Sequence, residues 1–185
     1  MKTLPRWFYD RDAKSVAKDL IGKTLFRKIG GQEFYTRIIE TEAYLGTEDK
    51  ACHASKGKTN RNSVMFGPPG FIYIYFIYGM YDMLNIVTAE EGNPHAVLIR
   101  ALEPLTAGVP IKNKLNGPGK LTRELKITQE FNQRDLLKSL DLKVLEGRPP
   151  LKISAKPRIG VDYAGKWAHK KLRFYEKDND MVSRL

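Results

Sequence analysis

The residues best suited to chemistry lie on one short stretch. Phe34 to Tyr44 reads as a strand, and because side chains alternate along a strand, Ile38, Glu40, Glu42 and Tyr44 fall on one face. Glu42 and Tyr44 then stand side by side, about 7 Å apart along the backbone. A second element, Ala96 to Leu102, is apolar apart from Arg100. An arginine inside such a strand is at a sheet edge, in solvent, or paired with a buried carboxylate. A carboxylate held by an arginine can orient a water and take its proton as it attacks. A loop histidine, His53, and a tyrosine-rich run around Tyr75 could add aromatic surfaces that stack a planar ring. The plainer alternatives are a solvent-facing strand carboxylate at Glu42 and a backbone-bonded loop histidine at His53. Spacing alone does not separate Glu42 from Glu40.

Composition narrows the partners. A chain of 185 residues fits one compact domain, 1–185, long enough to bury a core. Lys plus Arg total 32 against 21 Asp plus Glu, a net charge of +11 that suits a polyanion such as nucleic acid or an anionic membrane surface. Cys52 is the only cysteine, which rules out an internal disulfide and a cysteine-based zinc site. His53, His95 and His169 are too scattered in sequence to argue for a metal, and no cofactor is expected. No phosphate-binding glycine loop or serine elbow is present. The start, MKTLPRWFYDRD, lacks the apolar core of a signal peptide, and Phe71 to Tyr81 is too short to span a membrane. A soluble protein of a reducing interior is the expectation.

These residues need elements to hold them. Ala13, Val16, Ala17, Leu20 and Ile21 share a helical face, with Asp10 or Asp12 as the cap and Gly22 at the end. Thr24 to Ile29 reads as a strand joined to Phe34–Tyr44 through a tight turn at Gly30-Gly31. Residues 46 to 70 are irregular and long for a loop, which marks them for function. Phe71 to Thr88 is a long hairpin with Tyr78, Gly79, Met80 and Tyr81 near its tip. Gly117-Pro118-Gly119-Lys120 opens a helix running to about Lys126. Residues 136–151 hold one more helix or strand. Between Lys156 and Lys177 basic and aromatic residues alternate, which suits either a nucleic-acid face or an ordinary basic end of a domain. Hairpins with few crossover helices imply a mixed α/β (α+β) domain, a curved and mostly antiparallel sheet flanked by helices.

The hairpin tip is unusual in being apolar. Large side chains on a projecting turn need something to insert into, and proteins that kink DNA push such wedges between base steps. The alternative is a tip folded back onto a core.

With the residues in view, a resemblance is evident. RIIETEAYLGTEDKACHASKGKTNRNSVMF, GFIYIYFIYGMYDMLNIV and AVLIRALEPL, followed by GPGKLTREL, FNQRDL and RIGVDYAGKWAHKKLRFY, resemble the methylpurine (alkyladenine) type of 3-methyladenine DNA glycosylase. The likeness runs in order through nearly the whole chain. It implies a monofunctional enzyme that flips an alkylated or deaminated purine out of double-stranded DNA and hydrolyses its glycosidic bond, without strand cleavage. The implied substrates are 3-methyladenine and 7-methylguanine, with hypoxanthine and ethenoadenine as further candidates. The resemblance implies Glu42 as the base that activates water, Arg100 and the carbonyl of Ile159 as its companions, and Tyr44, His53 and Tyr75 as the stacking walls. It further implies Asn85 as the residue crowding the amino group of guanine, and Tyr78 as the intercalating wedge. Arg61, Met80, Tyr81 and Lys120 are expected on the DNA. A cytoplasmic bacterial monomer, associated with the nucleoid through DNA and with no membrane partner, is the implied setting. One departure stands out. After RALEP the chain reads LTAGVPIKNKLNGPGK, where relatives commonly carry a longer helical segment, and Gly108 with Pro110 argues against a helix there. A binding module without catalysis, using the same basic face and hairpin, is the competing reading. A Glu42–Arg100 clamp separates the two, since a pure binder has no use for it.

Overall fold

A computed structural model describes residues 1–77, 79–105 and 114–183. The expectations for Tyr78 and for Gly108 and Pro110 lie outside the described residues. Two helices open the chain, α1 (Arg6–Tyr9) and α2 (Ala13–Leu20). Asp12 caps α2 by accepting from Ser15 N, so of the two candidate caps the second is used. The strands are β1 (Thr24–Ile29), β2 (Gln32–Leu45), β3 (Ile72–Ile77), β4 (Tyr81–Thr88), β5 (His95–Pro104), β6 (Leu142–Leu145), β7 (Ile153–Lys156) and β8 (Arg173–Glu176). Between β5 and β6 stands α3 (Pro118–Glu124), which ends two residues short of the expected Lys126.

These eight strands join one curled sheet, six of them in the order β3-β4-β5-β2-β1-β6 with β8 pairing both β2 and β7, and every pairing is antiparallel. The turn between β1 and β2 needs two residues with positive φ, which Gly30 (55°) and Gly31 (85°) supply at no steric cost. At fourteen residues, β2 is long enough to serve three neighbours. From Thr36 to Leu45 it pairs with β5 along one edge, while on the other edge β1 covers its first part and β8 takes over at Glu40–Glu42.

Alternation does not run unbroken along β2. The pairing with β5 shifts between Ile38 and Glu40 and again at Thr41, a bulge that changes which residues face the core. Before the bulge Phe34 and Ile38 join the main core; after it Ala43 does, and Thr41 Oγ1 bonds the carbonyl of Ala17 in α2 at 2.8 Å. Ile38 therefore does not share a face with Glu40, Glu42 and Tyr44. The bulge turns the carboxylates away from α2, toward the second side of the sheet.

The remaining elements are short. Residues 136–151 hold the strand β6 and no helix. The loop 46–70 is built of 3-10 turns at Gly46–Glu48, His53–Lys56 and Ser63–Phe66 rather than being structureless. Much of the basic and aromatic tail is structural. Arg158, Trp167, Arg173, Phe174 and Tyr175 are buried, leaving Tyr163, Lys166, Lys170 and Lys171 outside. Among the described residues no helix is long and apolar enough to cross a membrane.

Candidate active site

A cavity of ≈ 230 Å³ opens on the side of β2 that faces away from α2. That is below the range of about 300–1,000 Å³ usual for drug-sized ligands and suits one small planar group. Six of the residues singled out from the sequence line it: Tyr44, His53, Tyr75, Asn85, Arg100 and Ile159. They come from β2, the 46–70 loop, β3, β4, β5 and the segment after β7. Sheet pairing brings these elements together, because β3, β4, β5 and β2 lie side by side in that order.

Glu42 is fully buried and sits one contact behind the cavity wall. Its Oε2 accepts from the Tyr44 hydroxyl at 2.9 Å, its Oε1 accepts from Ile159 N at 2.9 Å, and Arg100 Nη1 lies 3.3 Å from Oε1. All three partners line the cavity. Of the settings open to an arginine inside a strand, Arg100 has the third, pairing with buried carboxylates. Burial works against its charge, but Glu42 and then Glu40 outweigh that and raise its pKa. The Tyr44 phenol is held well above its ordinary value by burial, with the Glu42 charge adding to it, so it keeps its proton and donates.

The walls are aromatic. The His53 and Tyr75 rings meet edge to face at 4.4 Å, and Tyr73 shares a 2.9 Å hydrogen bond with His53 Nδ1. Burial pushes the Tyr73 phenol up to about 12 and raises that of Tyr75 as well. His53 stands at the rim, open to solvent on one side. Desolvation of its ring, with Arg61 nearby, lowers its pKa and keeps the imidazole neutral at pH 7. Asn85 turns its amide nitrogen to the carbonyls of Met83 (3.0 Å) and Tyr73 (3.3 Å), which fixes the side chain against the cavity.

Other predicted residues lie around the opening rather than in it. Arg61 donates to the Phe76 carbonyl at 3.1 Å and lies 5.9 Å from the Tyr75 ring centroid. Met80 is 64% exposed in the turn between β3 and β4, so this residue does not fold back on a core. Tyr81 is half-buried against α3, where a Cβ on Gly119 would come within 2.6 Å of its ring. Lys120 is exposed and bonds Asn116 at 3.0 Å.

Sequence reasoning missed several parts. Asp49 and Arg158 form a buried pair behind Tyr44. Asn62 ties the 46–70 loop together through the carbonyls of His53 and Gly57, both at 3.0 Å. Tyr73 and Tyr163 also line the cavity. The available signal was the run RIG at 158–160, where a bulky arginine stands next to the residue contacting Glu42. Among the described residues no three His, Cys, Asp or Glu side chains cluster as a metal site requires.

Comparison with known proteins bears on this geometry. Residues 7–180 match the family described as methylpurine-DNA glycosylase. A protein of Legionella pneumophila (strain Corby), provisionally named a 3-methyladenine DNA glycosylase, is 51% identical over 186 residues, covering 100% of both chains. Proteins given the same name in Methanocella arvoryzae and Borreliella burgdorferi (strain ZS7) are 51% and 48% identical, covering 100% and 98% of this chain and 97% and 100% of their own.

Proposed function

The chain belongs to the methylpurine-DNA glycosylase family, and from that premise we propose that it removes alkylated and deaminated purines from double-stranded DNA by hydrolysing their N-glycosidic bonds. The substrates on this reading are 3-methyladenine, 7-methylguanine, hypoxanthine and ethenoadenine. The observation that carries it is the convergence of Tyr44, Arg100 and Ile159, which line an aromatic cavity, on one buried carboxylate just behind its wall.

A purine inside a duplex cannot reach that carboxylate, so the nucleotide must leave the stack and enter the cavity. Flipping costs a few kcal/mol and costs least at damaged sites, which itself contributes selectivity. Tyr78 would fill the gap in the stack, and the exposure of Met80, two residues on in the sequence, supports a wedge in this stretch. In the cavity the base would stack between Tyr44 on one side and His53 with Tyr75 on the other. A neutral His53 suits this, since it does not repel a cationic base. Asn85, its amide nitrogen turned to backbone carbonyls, would stand against the amino group of a normal guanine. Glu42 would then draw the proton from a water attacking the sugar carbon, a contribution typically worth about 10² to 10⁴ in rate. Arg100 and the Ile159 carbonyl would hold that water. Cationic alkylated purines leave readily, so the general base suffices for them, while neutral lesions ask more of the cavity. No amine nucleophile is needed, so the product is an abasic site in an unbroken strand. Lys120, Arg61 and the remaining basic surface would hold the phosphates.

The test is to incubate the protein with alkylated genomic DNA and with a duplex bearing one hypoxanthine. Free base and abasic sites are then measured alongside strand breaks. Base release without nicking is expected. Tight duplex binding with no release from either DNA would sink the enzymatic reading in favour of a binding module.

A further inference from the structure

Behind the stacking face of Tyr44 lies a buried ion pair that the proposed reaction does not itself use. Arg158 Nη1 and Nη2 meet Asp49 Oδ2 and Oδ1 at 2.5 and 2.8 Å, and both side chains are inaccessible to solvent. The guanidinium lies 4.7 Å from the Tyr44 ring centroid and also bonds the Ala43 carbonyl at 2.9 Å. Asp49 in turn accepts from Leu45 N at 3.1 Å and Ala51 N at 3.0 Å. Tyr44 lines the cavity and Arg158 does not, so the ring separates the guanidinium from whatever enters. The next residue after Arg158 is Ile159, which bonds Glu42.

Geometry alone would make this a brace. Its charges give it a second consequence. A base stacked on the cavity side of Tyr44, about 3.5 Å away as ring contacts require, would lie roughly 8 Å from the guanidinium. An uncompensated charge at that distance, at the effective dielectric of a protein interior, changes binding by about ten- to thirtyfold. The rest of the floor is already balanced, with Glu40 and Glu42 facing Arg100 and Arg173. A lone arginine behind Tyr44 would therefore select against cationic bases, and a lone aspartate would select for them.

Resting on the proposed glycosylase reading, we infer that Asp49 and Arg158 are a positioning pair whose mutual neutralisation sets the preference of the cavity between cationic and neutral purines. Arg158 backs the Tyr44 ring and places Ile159. Asp49 cancels the charge that this backing brings and ties in the loop that carries His53.

The readout is the ratio of single-turnover release of 7-methylguanine, a cation, to that of a neutral lesion, hypoxanthine or ethenoadenine. Asp49→Asn should lower this ratio about ten- to thirtyfold and Arg158→Gln should raise it by a similar factor. The double variant should return it to the wild-type value, even though absolute rates fall. Either single variant suffices, because each carries its own sign, and thermal melting confirms which are folded at the assay temperature. Equal loss on both lesions overturns the inference and leaves the pair a brace. So does unfolding of both single variants with a folded double. Failure of the wild type to release any base would instead count against the proposed function, a result distinct from either of these.

Discussion

Glu40 and Glu42 stand two residues apart on β2, both fully buried and both within reach of Arg100. Their surroundings nevertheless differ. Glu40 takes Arg173 Nη1 at 2.8 Å and the backbone N–H of Ser183 at 2.7 Å, and neither residue lines the cavity. Val182, next to Ser183, packs with Ile39, Ala101 and Tyr175 in a small cluster at the rear. Glu42 takes Tyr44, Ile159 and Arg100, each of which does line the cavity. The lesson is that burial and an arginine partner do not identify a catalytic carboxylate. What distinguishes the two is where their other partners lead: one set closes the molecule, the other opens on the cavity. On this account Arg100 is held from behind by Glu40 so that it can serve Glu42 in front.

Breaking the rear half should produce the largest change in stability. Glu40→Gln removes a buried charge from beside Arg173 and Arg100 and should cost about 3–5 kcal/mol in denaturant unfolding. Base release per folded molecule should stay within about tenfold of wild type, a factor worth 1.4 kcal/mol. A rate collapse in a well-folded Glu40→Gln would reverse the assignment of the two residues. On the front half, Tyr44→Phe keeps the stacking ring but deletes the donor to Glu42. Hydrogen bonds to charged groups are worth about 1.5–3 kcal/mol, so release should slow roughly ten- to hundredfold with little change in duplex affinity.

Acid sharpens the comparison further. The pKa of His53 is lowered from 6.5 by desolvation and by Arg61. As pH falls from 6.5 toward and through that lowered value, the cavity wall gains a positive charge. Release of cationic 7-methylguanine should then drop about tenfold, and the drop should vanish in His53→Asn. The unfolded chain takes the proton at 6.5 while the folded one resists it. Stability is therefore full above pH 6.5 and declines as pH falls between 6.5 and the folded value. His95, also lowered by burial, contributes to the same decline, so His53→Asn should reduce it without removing it. The smallest effect belongs to the surface. Lys120→Ala should weaken binding to damaged and undamaged duplex alike and reduce the slope of log affinity against log salt by about 1.

Much of this arrangement was legible in the sequence because it rests on strong local signals. The paired glycines at 30 and 31, the Asp12 cap and the aromatic run of β3 each announce an element. Arg100 inside an apolar strand left a sheet edge, solvent and a buried carboxylate open, and the structure pairs it with Glu40 and Glu42. The face assignment of β2 was only half legible. Ile38 and Ile39 are both apolar, so the pattern reads equally well in either register, and a one-residue bulge leaves no mark in it. The tail was ambiguous for a different reason. Its arginines look like a polyanion-binding stripe, yet Arg158 and Arg173 are spent on Asp49 and Glu40, more than a hundred residues away in sequence. Asp49 was invisible for the same reason. Nothing near it in the chain says that it will be buried.

The central claim is that Glu42 is the base. Its most direct test is single-turnover release of 7-methylguanine and hypoxanthine by Glu42→Gln, with duplex binding and melting temperature measured on the same preparation. Gln keeps the shape, its amide oxygen can still accept from Ile159 N and its NH2 can donate to the Tyr44 hydroxyl oxygen, so fold and binding should persist while release slows by about 10² to 10⁴. Release at the wild-type rate by a folded, DNA-bound Glu42→Gln would contradict the account.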